Sequence, residues 1–178
     1  WMGTDGQGAI MYYEPLVSTL SLTYDKLWID NTRPVRGIHL DKEGTLWIGT
    51  KGNGILSFPS FDETRAPNLM QRKTYRKENS GLGNDVVYAF SESSRPLFWI
   101  CTDGGIDYYS YDSRDIRHVP SDKPIQYAVS AWEQGDTLWI ITLGYGIYKA
   151  RIEGQTSQPR LTDIRQYTLD DGKRSSKY

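Results

Sequence analysis

The sequence predicts an all-β protein, a β-propeller fragment of about four four-stranded antiparallel blades, three complete and the first truncated. Three observations carry this prediction. A short phrase recurs four times: Trp1-Met2-Gly3-Thr4, Trp47-Ile48-Gly49-Thr50, Trp99-Ile100-Cys101-Thr102 and Trp139-Ile140-Ile141-Thr142. Its copies lie roughly 40–50 residues apart, a period of solenoids, arrays and propellers. The strand that holds the phrase is apolar on both faces. A half-buried strand alternates apolar and polar residues, and Leu46-Trp47-Ile48 does not, so both sides of the sheet are covered. Radially stacked blades provide that cover, because each lies between two neighbours. No apolar stripe of helical period occurs, so little or no helix is expected.

The elements follow in order. The first copy opens inside its second strand at Trp1, continues with Ala9-Ile10-Met11-Tyr12-Tyr13, and takes its outer strand from within 19–29. Leu27-Trp28-Ile29-Asp30 lacks the following Thr and glycine turn; it reads as the end of that outer strand and the connection inward. The second copy is the clearest. An inner strand over 34–40 runs into Asp41-Lys42-Glu43-Gly44, where Asp bonds its own backbone and Gly accepts positive φ. The dense aromatic and β-branched strand 45–50 follows, then the tight turn Lys51-Gly52-Asn53-Gly54, then a third strand over 55–58. Residues 72–77 alternate as an exposed outer strand does. The third copy places its strands at 86–90, 97–102, 105–109 and 116–119, and the fourth at 125–132, 138–142, 146–150 and 163–168. The blades then run over 1–33, 34–85, 86–124 and 125–178. A large Trp buried at each equivalent place builds a repeated inter-blade core.

Composition narrows the function. The 178 residues are 38% hydrophobic and 13% aromatic, enough for a sizeable core. Twenty-one basic and 22 acidic residues give a net charge of −1, which argues against a nucleic-acid partner. The single cysteine forms no internal disulfide; Cys101 stands where the second copy has Gly49, and reads as a small core residue. Signal-peptide and membrane-span patterns are absent, so any membrane link runs through segments outside this chain. The chain begins within one blade and ends where another would start, so further blades and self-association through bare apolar faces are expected. His39 and His118 sit on strands with no evident nucleophile, and no metal-ligand spacing occurs. No cofactor and no catalytic residue are assigned. Asp41-Lys42-Glu43-Gly44-Thr45-Leu46-Trp47 is similar to the Asp-box turn of sialidases, but with one residue too many between Asp and Gly, and reads as a hairpin turn.

The phrase Leu46-Trp47-Ile48-Gly49-Thr50, with Asp41-Lys42-Glu43-Gly44 before it and Gly52-Asn53-Gly54-Ile55 after it, resembles the two-component regulator propeller repeat. Residues 34–58, 86–109 and 125–149 each match, and Asn79-Ser80-Gly81-Leu82 is a typical connection. The departures are Cys101 and Ile141 at the Gly position, Asp103-Gly104-Gly105, and Leu143 and Tyr145 in the last turn. The resemblance implies a periplasmic sensor region of a hybrid two-component histidine kinase. In that family two seven-bladed propellers precede a β-sandwich, a membrane span and a cytoplasmic kinase. It implies detection of a glycan-derived oligosaccharide and no catalysis in this segment. The alternatives are a propeller enzyme, such as a polysaccharide lyase or a glycosidase-like protein, and a protein-interaction scaffold.

Blade topology puts two sets of loops on one rim: those from the second strand to the third, and those from each outer strand to the next inner strand. Ligand sites tend to lie on such loops, held by the rigid scaffold. Sugar recognition needs planar polar groups and an aromatic platform. The ligand-binding candidates are Arg33, Lys51, Asn53, Asp85, Asp103 and Tyr145; Asp5, Gln7, Asn31, Asn84, Asp122 and Lys123 share the same loops.

Overall fold

The structure, a computed structural model, describes the strands β1 (Met2–Thr4), β2 (Gly8–Tyr13) and β3 (Leu16–Leu20), and residues 34–62, 64–65 and 70–168. Among the described residues there is no helix. The strands form four antiparallel sheets, each in chain order. The first is β1-β2-β3. The second is β4 (Val35–Leu40), β5 (Leu46–Thr50), β6 (Ile55–Phe58) and β7 (Lys73–Tyr75). The third is β8 (Val87–Glu92), β9 (Leu97–Thr102), β10 (Gly105–Ser110) and β11 (Asp115–His118). The fourth is β12 (Ala128–Gln134), β13 (Thr137–Thr142), β14 (Gly146–Gln155) and β15 (Gln158–Tyr167). This is the blade series that the repeated phrase predicts.

Sheet packs on sheet through alternate faces of the phrase-bearing strands. Leu46 and Ile48 of β5 face away from the third sheet, with Val35, Leu56 and Phe58. Trp47 faces the third sheet and joins Phe98, Ile100, Val87 and Tyr109. The opposite side of β9, with Leu97, Trp99 and Cys101, joins Leu138, Ile140, Ala150 and Leu161 of the fourth sheet. Every residue of β5 and β9 is buried, so the double-faced apolar pattern reports a strand covered on both sides. The inner strands β4, β8 and β12 each carry a register shift near their start, at Val35/Gly37, Val87/Ala89 and Ala128/Ser130. Such bulges add twist where the strands crowd together. A Cβ on Gly37 would lie 2.9 Å from the carbonyl oxygen of Tyr88, so β4 and β8 touch through backbone there.

Trp139 is half-buried, on a side of β13 that no sheet covers among the described residues. Two expectations need correction. The fourth sheet's outer hairpin is longer than its sequence suggests, adding 151–155 and 158–162 around a turn at Thr156-Ser157. Ile152 and Leu161 anchor this extension in the core. Alternating charges at Arg151, Glu153 and Arg160 hide it in the sequence. In the first sheet, β3 occupies Leu16–Leu20, so the outer strand starts earlier than the expected 19–29. The remainder of that stretch, with Trp28, lies outside the described residues, as do Trp1, Asp5, Gln7, Asn31 and Arg33.

Candidate functional site on the loop rim

In the second, third and fourth copies the phrase ends in a threonine that closes the turn after it. Thr50 Oγ1 donates to Gly54 O (2.8 Å), Thr102 Oγ1 to Gly105 O (3.3 Å) and Thr142 Oγ1 to Gly146 O (2.7 Å). The glycine is required at Gly54: φ is +70° and a Cβ would lie 2.1 Å from Tyr75 O.

The turns then bond to the links entering the next sheet. Gly52 N and Gly54 N donate to Asp85 O (3.0 and 2.9 Å), and Lys51 bridges Val86. Asp103 N donates to Val86 O (3.1 Å), Tyr127 N to Asp103 O (3.0 Å) and Leu143 N to Tyr127 O (2.9 Å). Lys51, Asp85, Asp103, Tyr127 and Leu143 therefore follow one another along a single rim, the one on which both loop sets are expected.

The candidates differ in what they can offer there. Lys51 is exposed. Asn53 is half-buried, and its backbone N–H donates to Thr50 Oγ1 (2.9 Å). Asp85 accepts Lys77 N at Oδ1 (2.8 Å), so its carboxylate partly closes its own link. Asp103 is half-buried, yet its Oδ1 is shielded from solvent and accepts no hydrogen bond. The Tyr88 phenol is pushed up, first by burial and then by its hydrogen bond to the Asp103 carboxylate and that group's charge, with Arg36 opposing. Tyr145 is exposed and its ring lies parallel to that of Tyr127, with 2° between planes and centroids 5.9 Å apart. Tyr145, Pro124, Gln126 and Tyr148 line a hollow of about 200 Å³. Arg33 lies outside the described residues.

Several other link residues serve the fold. Asn84 Oδ1 accepts Val86 N (2.9 Å), and Lys123 Nζ donates to Ile164 O (2.8 Å). Sequence reasoning misses Tyr127 and Tyr88 as rim residues. The sequence puts Tyr127 within the inner strand; it stands just before β12 with φ +53°, which turns its side chain out of the ladder. A bulky residue ahead of the strand is the signal present.

On the opposite rim, carboxylates hold the tryptophans. Asp41 Oδ1 accepts Glu43 N (2.9 Å) and Thr45 N (2.8 Å), and its Oδ2 accepts Trp47 Nε1 (2.8 Å). Trp99 Nε1 instead donates to Glu133 Oε2 (2.7 Å), which arrives from the fourth sheet. Arg95 joins Glu133 (3.0 Å) and Asp136 (2.8 Å). The histidine environments are structural. His118 Nδ1 meets the fully buried Asp107 (2.6 Å), whose other oxygen accepts Gly83 N (2.9 Å). His39 lies 3.2 Å from Glu92 and packs on Phe98. Among the described residues no cluster of His, Cys, Asp and Glu could hold a metal ion. No helix among them is long and apolar enough to cross a membrane.

Fold and rim together define a β-propeller segment. Its fold is shared with extracellular domains from B. thetaiotaomicron. One, described as belonging to a hybrid two-component system, is 15% identical with a TM-score of 0.60, over 86% of this chain and 21% of that one. A second, described as belonging to a one-component system, is 19% identical with a TM-score of 0.57, over 76% and 19%. A third, again from a hybrid two-component system, is 24% identical with a TM-score of 0.51, over 66% and 16%. The chain thus spans about a fifth of the length of these structures. No family model matches it, and no curated protein matches it.

Proposed function

We propose that this chain is the ligand-sensing part of an extracytoplasmic, periplasmic propeller in a hybrid two-component sensor kinase, and that its loop rim takes a glycan-derived oligosaccharide. The observation that carries the reading is the exposed, parallel Tyr127/Tyr145 pair. An exposed aromatic surface suits the apolar face of a pyranose ring. The fold shared with extracellular domains of signalling systems supports the location and the sensing role. Lys51 and Asp85 extend the same rim toward the second sheet. The segment itself catalyses nothing in this reading; any kinase lies elsewhere in the full protein.

Calorimetry against a panel of oligosaccharides tests this. A Tyr127→Ala/Tyr145→Ala double variant should lose affinity by roughly tenfold or more, about 1.4 kcal/mol, with its melting temperature held. Unchanged affinity, or no binding by any oligosaccharide, defeats the proposal. Product formation during the titration would favour the lyase or glycosidase reading. Retention of a protein partner without glycan binding would favour the scaffold.

A further inference from the structure

The side of the fourth sheet that carries Trp139 is bare among the described residues. Trp132, Ile141 and Ile147 are 60%, 49% and 42% exposed, and with Trp139, Ser130 and Ala131 they line an open hollow of about 270 Å³. The two preceding sheets show what this side is for. Trp47 and Trp99 occupy the same place on β5 and β9, and each is buried beneath the sheet that follows.

Those two covered sides share a second feature. A Cβ on Gly49 would lie 2.7 Å from Cγ1 of Val87, so only glycine fits under that valine. Cys101 holds the equivalent register, pairing with Ile106 as Gly49 pairs with Ile55. Ala128 is the register equivalent of Val87, opposite Thr142 as Val87 is opposite Thr102. Cys101 and Ala128 lie in one buried cluster. The facing pairs are therefore Gly with Val, and Cys with Ala. As the residue on the phrase strand grows, its partner on the next inner strand shrinks, and both pairs hold the same number of side-chain heavy atoms. Close packing at fixed sheet spacing demands that exchange.

Ile141 is the third member of the series, pairing with Ile147, and it is larger again. We infer that this side takes a further four-stranded sheet whose inner strand presents glycine opposite Ile141. A sheet with valine there would meet the Ile141 side chain, and one suited to Ile141 would leave a void over Gly49.

Two measurements test this. In the 178-residue chain, Gly49→Cys should lower the melting temperature by roughly 4–8 °C, and adding Val87→Ala should restore most of the loss. Losses that merely add would overturn the inference. Next, the chain is extended at its C-terminus by a second copy of residues 82–118, with either the original valine or a Val87→Gly change in that copy. The glycine form should shield Trp132 and Trp139 from acrylamide and raise the melting temperature; the valine form should do neither. Equal behaviour of the two forms would overturn it. So would failure of both to shield the tryptophans, or pairing of two molecules through this side while the added sheet is present. If the extended chains do not fold, the Gly49/Val87 pair alone decides.

Discussion

At Asp41 one carboxylate closes a turn and holds a tryptophan; at the next junction Glu133 does the second task from the neighbouring sheet. Burial pushes the Glu133 carboxyl up, but hydrogen bonds from Ser93, Ser94 and Trp99 together outweigh it and leave it below its ordinary value. That contribution is present above the unfolded value near 4.5 and lost as pH falls through the lower folded one. The histidines act in a higher window, in opposite senses. The Asp107 hydrogen bond raises His118 against its burial, so its contribution is complete below 6.5 and lost as pH rises through the folded value. Burial lowers His39 despite Glu92 and Asp41, so its contribution is present above 6.5 and lost as pH falls through the folded value. Melting temperatures of variants measured from about pH 5 to 8 separate the two. His118→Asn should leave a stability that rises with pH, and His39→Phe one that falls. Parallel slopes in the two variants would contradict these assignments.

At the scale of strands and turns, glycine is required for two separable reasons. Gly44 has φ +76° and open space within 4 Å of where a Cβ would sit, whereas Gly54 combines φ +70° with the Tyr75 carbonyl 2.1 Å away. Gly44→Ala should cost about 1–2 kcal/mol of unfolding free energy, the cost of backbone strain. Gly54→Ala should cost clearly more, because the outer strand must move; urea titration distinguishes them. These elements are unequally legible. The strands 55–58 and 97–102 match their predicted bounds because each is a dense apolar run with a glycine turn at one end and a proline at the other. The hairpin extension at 151–162 is hard to read because one buried residue per strand, Ile152 and Leu161, is a faint signal amid charges. The rim is legible from connectivity alone, and Lys51, Asp85 and Asp103 do share it. The bonds that link them join residues far apart in the chain, as when Asp107 captures Gly83 N, and periodicity does not encode such pairs. A single backbone torsion hides Tyr127.

At the scale of the whole molecule, the sheets form a series, and among the described residues the fourth keeps an uncovered apolar side. A contiguous exposed patch of this composition drives association. Sedimentation of the chain should show average mass rising with concentration, and Trp132→Glu with Ile141→Glu should suppress the rise with little loss of stability, since about half or more of each residue is already in water. A concentration-independent monomer would count against this.

Cys101 lies where the third and fourth sheets meet, fully buried, and its surroundings drive the thiol far above its usual value. It is therefore silent to alkylating reagents while the two sheets stay together. Its labelling rate is a native clock for their separation, reading the opening free energy of that one seam without a dye or an engineered probe.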